Sequence, residues 1–180
     1  VYVTGRKPAD WNAYPKGGEA FTRNGLKVLF ALLCDPELAK APQRAIAATA
    51  GVALGTVPAV LKDLQRTGHL LRMKQQRRLQ PTKRLLDEWA AAYANQLRPR
   101  TLRGRYTTGG FALWREWAFD PTKAQWGGEP AAALLTDYLK PGVLTLYAEQ
   151  LDPGLMLTYN ATKAKADDDE GVLEIRRRFW

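Results

Sequence analysis

Residues 43–68 read QRAIAATAGVALGTVPAVLKDLQRTG, and their pattern predicts two helices separated by a short turn. The first helix spans Gln43–Ala50, and Gly51 supplies a glycine stop at its C-terminal end. Gly68 stops the second helix in the same way. Pro58 disfavours α conformation in the residue before it, so we expect the second helix to start a residue late. Two helices joined by a short turn that contains glycine are typical of a helix-turn-helix.

The flanking segments extend this pattern to a winged helix-turn-helix. A helix is predicted after Thr22, an acceptable N-cap residue, and Asp35-Pro36 ends it. Two short strands follow the glycine stop and are joined by a polar tip at Gln75-Gln76. A fourth helix spans residues 83–97, with Leu86 on its apolar side, and Pro99 closes it. The order of helices and hairpin is that of a winged helix.

The second helix of the pair is predicted to meet DNA. Its apolar residues form one stripe that packs on the other helices, which leaves the opposite face outward. In a winged helix this face lies in the major groove, while flanking basic residues hold phosphates. The residues predicted to contact DNA are basic, polar or small, and they are Arg44, Thr56, Ala59, Lys62, Arg66, Arg72, Lys74, Gln75, Gln76, Arg77, Arg78 and Lys83.

The charge distribution favours the same kind of partner. The chain holds 27 Lys+Arg and 18 Asp+Glu, for a formal net charge of +9. Residues 1–108 hold 19 and 7 of these, a net of +12, whereas residues 109–180 hold 8 and 11, a net of −3. A one-sided basic excess indicates a polyanion, most often nucleic acid, although a basic surface that only confers solubility explains the composition equally well.

The composition also excludes several classes of protein. Of the 180 residues, 46% are apolar and 25% are charged, which is typical of a folded domain and not of a disordered chain. The single cysteine, Cys34, excludes an internal disulfide framework, and the single histidine, His69, leaves too few ligands for structural zinc. The longest apolar run, residues 28–34, is too short to span a bilayer, so we expect a cytoplasmic protein.

The overall fold class predicted is α+β. We expect a connector at residues 1–20, the winged helix at 21–98 and a small α+β domain at 99–180. In that domain a hinge is predicted at residues 104–110. The aromatic stretch after it is more typical of a core than of a base-stacking surface. The other elements predicted there are helices at 131–139 and 153–162, strands at 143–148 and 172–175, and an acidic loop at 166–170.

No motif predicts an active site. Gly127-Gly128 precedes a helix but lacks the Lys-Ser/Thr of a phosphate-binding loop. The acidic residues 167–170 lack the spacing of a calcium loop. Cys34 ends the apolar run of a predicted core helix, which is a poor position for a nucleophile, and His69 has no acid or nucleophile close in sequence. We therefore expect no catalytic residue, no metal and no cofactor.

Two rival functions are weighed against DNA binding by a regulator. One is a nucleic-acid-processing enzyme fragment, a nuclease or a nucleotidyltransferase-like protein, that docks its substrate on the winged helix. Its candidate carboxylates are Glu129 and Asp137. The other is a protein-interaction module, which an acidic recognition helix would favour. The predicted recognition helix carries Lys62 and Arg66 and is basic instead.

Several segments resemble AbiEi-type antitoxins of type IV toxin–antitoxin systems. They are GLKVLFALL (25–33), IAATAGVALGTV (46–57), LKDL (61–64), QLRP (96–99), GRY (104–106), QWGGEPAAALLT (125–136) and YLKP (138–141). The resemblance implies a bacterial transcriptional autoregulator that binds repeats upstream of its own operon. It also implies a nucleotidyltransferase-like toxin that is counteracted without a stable complex. On this interpretation residues 1–8 are the tail of an upstream module, and the chain stops before the family's usual end.

Overall fold

The computed structural model describes residues 18–73, 76–149, 152–165, 167–168 and 170–180. These residues form both helices and strands, so the predicted α+β class is confirmed. They divide into two compact units: the residues up to Arg100 together with Trp180, and Thr101–Phe179. Within these ranges no helix has both the length and the apolar character that a bilayer span requires. Most of the connector predicted at residues 1–20 lies outside the described residues.

Three helices begin the first unit: α1 (Arg23–Cys34), α2 (Gln43–Ala50) and α3 (Thr56–Arg66). The Thr22 side chain caps α1 by accepting the N–H of Gly25, and Asp35 is extended after its last turn, as predicted. Gly51 ends α2 with a φ of 59°. The expected late start of α3 is wrong. Pro58 stands in the first turn, where a helix needs no partner for the missing N–H.

The buried faces of these helices form the core of the first unit. Helix α3 buries Val57, Val60, Leu61 and Leu64 in the same core as Leu29 and Leu32 of α1 and Ile46 of α2. A 3₁₀ turn, Glu19–Phe21, packs on the same helices. Gly25 permits this approach, because a Cβ at its position would overlap the carbonyl oxygen of Glu19. A second 3₁₀ turn, Pro36–Lys40, joins α1 to α2.

Two strands, β1 (Leu70–Met73) and β2 (Gln76–Leu79), form an antiparallel ribbon after α3. Their register places Met73 opposite Gln76 and Leu70 opposite Leu79. The predicted position of Gln76 at the tip is therefore wrong, because it belongs to β2 and pairs across the ribbon. Both Leu70 and Leu79 are buried, which attaches the base of the ribbon to the core.

The helical segment after the ribbon is longer than predicted. Helix α4 (Lys83–Ala92) continues through a π-helical turn (Tyr93–Leu97) into α5 (Arg98–Thr101). Pro99 does not close it. The wide turn before Pro99 relieves the clash that a proline ring makes with the carbonyl four residues earlier. Leu86, predicted on the apolar side, is exposed.

The second unit contains a five-stranded sheet in the order β4-β5-β7-β3-β6. Strands β5 and β7 run parallel, and the other neighbouring pairs are antiparallel. The strands are β3 (Leu102–Thr108), β4 (Ala124–Gly127), β5 (Val143–Ala148), β6 (Ala161–Lys163) and β7 (Val172–Arg176). Sequence patterning predicted β5 at its observed bounds and β7 to within one residue. It missed the short strands β4 and β6.

The hinge predicted at residues 104–110 is wrong. Residues up to Thr108 belong to β3, which pairs with β7 on one side and β6 on the other. Two consecutive threonines favour a strand through their β-branched side chains, and the glycine pair that follows supplies the turn. Gly104 sits beside a shift in the register of β3 and β7. A Cβ at this position would meet the ring of Tyr106.

Two short helices and an aromatic cluster complete the second unit. Helix α6 (Gly128–Thr136) begins earlier than the predicted 131–139. It also ends earlier, because Asp137 adopts a left-handed conformation with a φ of 54°. Helix α7 (Pro153–Thr158) is shorter than the predicted 153–162, since residues 161–163 form β6.

The aromatic stretch packs within the second unit, as predicted. Trp114 and Trp117 are buried in its core. The ring of Trp117 stacks on Tyr159 with 4.1 Å between centroids. Trp126 meets Trp114 edge-on at 5.7 Å and Phe119 at 5.3 Å. This cluster therefore joins the loop that follows β3 to the segments around β4 and α7.

Candidate nucleic-acid interface

The side of α3 opposite its buried stripe supplies the first part of the candidate interface. Burial of the stripe determines how α3 is rotated about its axis, and it leaves Lys62 exposed with Thr56 and Ala59 half-buried. The N-terminal half of α3 thus presents a hydroxyl, a methyl group and a cation. These are groups that read base edges and hold phosphates when a helix enters the major groove.

A groove of about 270 Å³ lies beside this face. It is lined by the second 3₁₀ turn, α2, α3 and both strands of the ribbon. The lining residues are Lys40, Gln43, Pro58, Leu61, Lys62, Gln65, Arg72 and Arg77. Four of these carry positive charge, two carry amides, and none of the described lining residues carries a carboxylate. Cations and amide donors gathered in this way suit phosphate oxygens of a nucleic-acid backbone.

The groove brings together three predicted contacts and three polar residues outside the predicted set, beside the apolar Pro58 and Leu61. Lys62, Arg72 and Arg77 were predicted, whereas Lys40, Gln43 and Gln65 were not. Lys40 has little sequence signal, because it is an isolated cation between two predicted helices. In the structure it ends the second 3₁₀ turn and pairs with the exposed Glu37 at 2.6 Å.

Arg77 is held by the protein itself. Its Nε donates to the carbonyl oxygen of Ala39 at 2.8 Å, and its Nη2 donates to that of Ala41 at 2.5 Å. Through these two hydrogen bonds the Arg77 guanidinium attaches β2 to the second 3₁₀ turn and to the residue that follows it. The neighbouring Arg78 is exposed instead, because successive side chains of a strand point to opposite faces.

Arg66 and Lys83 also have protein partners. The Arg66 guanidinium bonds to Asp63 at 2.8 Å, and the buried Asp63 also accepts the N–H of Ala20 at 3.0 Å. Lys83 pairs with Asp87 at 2.5 Å on the exposed side of α4. Of the other predicted contacts, Arg44, Gln76 and Arg78 are exposed outside the groove lining, and Lys74 and Gln75 lie outside the described residues.

A comparison with protein families bears on what this interface serves. Residues 78–180, more than half of the chain, match the family model described as "Transcriptional regulator, AbiEi antitoxin, Type IV TA system". The chain belongs to the AbiEi antitoxin family. Its members are transcriptional regulators and antitoxins, and DNA binding follows from the regulatory role. Comparison with curated proteins and with solved structures gave no match.

The AbiEi match and the groove occupy different parts of the chain. The matched region begins at Arg78 and covers α4 and all of the second unit. The groove is lined by residues between Lys40 and Arg77. The match therefore supports the class of function, whereas the groove supports a location for the nucleic-acid contact.

The carboxylates considered for an enzyme have structural partners in this AbiEi chain. Glu129 accepts the N–H groups of Gly142 at 2.6 Å and Val143 at 3.0 Å, which ties α6 to the start of β5. Asp137 pairs with Arg115 at 3.3 Å. Among the described residues, no three His, Cys, Asp or Glu side chains are grouped to hold a metal ion. The family is one of regulatory antitoxins and not of enzymes.

Cys34 and His69 lie in different surroundings. Cys34 is an exposed free cysteine. The part of its side chain that is shielded from water raises the pKa of its thiol, which disfavours the reactive thiolate. His69 is buried after α3, with its Nε2 3.3 Å from Glu88 Oε2 but outside hydrogen-bond geometry. Local sequence spacing does not indicate Glu88 as a neighbour of His69, because α4 brings it close only in the folded chain.

Proposed function

We propose that this AbiEi-family regulator binds duplex DNA through α3 and the basic groove and represses its own operon. In this proposal α1–α3 and the β1–β2 ribbon form a winged helix within residues 21–98, and residues 99–180 form a separate α+β domain. The observation that carries the proposal is the groove, where Lys40, Lys62, Arg72 and Arg77 converge from four elements. Such a regulator works beside the chromosome, in the cytoplasm of a bacterium.

The proposed contacts divide into two kinds. Thr56 and Ala59, on the first turns of α3, meet base edges and confer sequence preference. Lys62 and Arg72 in the groove, with the exposed Arg44 and Arg78, hold phosphates and determine register. Lys74 and Gln75, which lie outside the described residues, are proposed from the sequence to contact the adjacent backbone.

Selection of bound duplexes from a random pool, repeated at two salt concentrations, tests sequence-specific binding. A sequence-specific repressor enriches one motif at both concentrations. Thr56→Ala should then change the enriched sequence, because it alters a group placed at the base edges. An unenriched pool at both salt concentrations would contradict the proposal.

The salt dependence of affinity tests the phosphate contacts. Each neutralised phosphate releases counterions and contributes about 0.9 to the slope of log K against log salt. Lys62→Ala should therefore reduce the slope by about 0.9 for every duplex sequence. Lys140→Ala, which removes an exposed cation beyond α6, is the matched control and should leave the slope unchanged. Equal slopes for wild type and Lys62→Ala would remove Lys62 from the interface.

The antitoxin role is proposed to act on a nucleotidyltransferase-like toxin without a stable complex. Co-expression should restore growth to cells that carry such a toxin, while affinity purification of the regulator recovers no toxin. Lys62→Ala should lose repression and keep this protection, because the groove serves DNA only. Recovery of a stoichiometric toxin complex would show that neutralisation works by direct binding instead.

A further inference from the structure

We infer that Arg77 is a positioning residue that presents Lys40 to DNA, and not itself a phosphate contact. The inference rests on the proposed function of the groove. The two carbonyl groups that accept from Arg77 belong to Ala39 and Ala41, the residues on either side of Lys40. Arg77 therefore holds the backbone of Lys40 from both sides.

The chemistry of the two cations suits these separate roles. The planar guanidinium donates along a rigid fork, and here Nε and Nη2 of that fork reach the carbonyl oxygens of Ala39 and Ala41. Lys40 has an exposed ammonium on a flexible stem, and its Nζ pairs with the exposed Glu37 at 2.6 Å. Ion pairs between exposed groups are weak and are screened by salt. Lys40 can therefore exchange Glu37 for a phosphate, whereas Arg77 would have to give up two bonds.

A lysine ammonium cannot replace the Arg77 guanidinium, because the two carbonyl oxygens that accept from Arg77 belong to separate residues, Ala39 and Ala41. Ala39 is fully buried, and the second 3₁₀ turn that contains it begins where α1 ends. A lysine at position 77 keeps the charge but has no fork to reach both carbonyls. Arg77→Lys should thus release the segment around Lys40 and leave the net charge of the groove unchanged.

A double-mutant cycle on the full chain tests this inference, with a random-sequence 30-base-pair duplex as the probe. Lys40→Ala and Arg77→Lys should each weaken binding several-fold. The double variant should bind no more weakly than either single variant, because both changes remove the same contact. Arg72→Ala combined with Lys40→Ala is the matched control, and its two effects should multiply.

Two results would overturn the inference. Multiplying effects of Arg77→Lys and Lys40→Ala would show that Arg77 contacts DNA independently, and wild-type affinity of Arg77→Lys would show that any cation suffices. Hydrogen exchange of the free protein provides a readout that needs no DNA. Arg77→Lys should speed exchange of the backbone amides at residues 38–41, and unchanged exchange there would also overturn it. A wild-type protein with no salt-dependent affinity for the duplex contradicts the proposed function instead.

Discussion

At the residue scale, the first unit depends on a close approach between α1 and the 3₁₀ turn Glu19–Phe21. Gly25 permits the approach on the α1 side, where a Cβ would overlap the carbonyl oxygen of Glu19. On the α3 side, Asp63 accepts the N–H of Ala20 at 3.0 Å. The turn is thus held by steric fit to one helix and by a buried hydrogen bond to another.

Gly25→Ala should destabilise the protein by about 1–3 kcal/mol, because the added methyl group meets backbone atoms that cannot rotate away. Urea denaturation gives the free energy of unfolding. Gly55→Ala is the matched control, since its Cβ meets nothing within 4 Å and its φ is −63°. We expect this control to stay within about 0.5 kcal/mol of wild type. Equal losses from both changes would refute the packing explanation.

The roles of individual cations were the least predictable feature of the candidate interface. Arg77 and Arg78 are adjacent and chemically identical, yet one bonds to backbone carbonyls and the other is exposed. Their alternation follows from strand geometry, but which of the two faces the protein depends on where residues 39–41 lie. Arg66 likewise bonds to Asp63. The spacing of residues in α3 does not predict that Asp63 is buried.

At the element scale, periodicity predicted the helices of the first unit well, and long-range pairing decided the elements it missed. The bounds of α2 and the buried stripe of α3 follow from local spacing and a glycine stop. β3 was mistaken for a hinge because Gly104 and its polar neighbours resemble a loop. It is a strand because β7, more than sixty residues later, pairs with it.

Trp117 stabilises the segment after β3. The ring of Trp117 stacks on Tyr159, and its Nε1 donates to the carbonyl oxygen of Gly110 at 3.1 Å. The Oη of Tyr159 in turn accepts the N–H of Ala118. Trp117→Ala should cost about 3–5 kcal/mol in calorimetric or urea unfolding, as for other buried aromatic side chains. Leu113→Ala, which changes a side chain that is 57% exposed, should cost far less. Comparable losses would place the packing elsewhere.

At the scale of the whole molecule, two hydrophobic cores contain different residues. One is formed by α1–α4, the ribbon and the two 3₁₀ turns Glu19–Phe21 and Pro36–Lys40. The other is formed by the sheet and the aromatic cluster. The net charge is +12 for residues 1–108 and −3 for residues 109–180, so the basic excess lies in the part of the sequence that includes nearly all of the first unit. The net charge of the whole chain, +9, does not reveal that difference. The order of the strands in the sheet cannot be inferred from charge.

Separate cores predict separate losses of protection. Leu29→Ala in the first core and Leu144→Ala in the second each remove a fully buried side chain, at a cost of about 2–5 kcal/mol. Hydrogen exchange followed by mass spectrometry should show faster exchange in the unit that carries the change. The amides of the other unit should keep their wild-type rates. Faster exchange in both units after either change would mean that they unfold as one.

The place of β7 in the sheet has a consequence for synthesis on the ribosome. β7 lies at the centre of the sheet, between β5 and β3, yet it is the last of the described strands to be translated. While a nascent chain lacks it, β3 and β5 have no partner between them, and their unpaired edges are open to other chains. The first unit lies almost entirely before the sheet in the sequence and can therefore form earlier. During translation the protein therefore passes through a stage in which the first unit is folded while the unfinished sheet needs protection from aggregation.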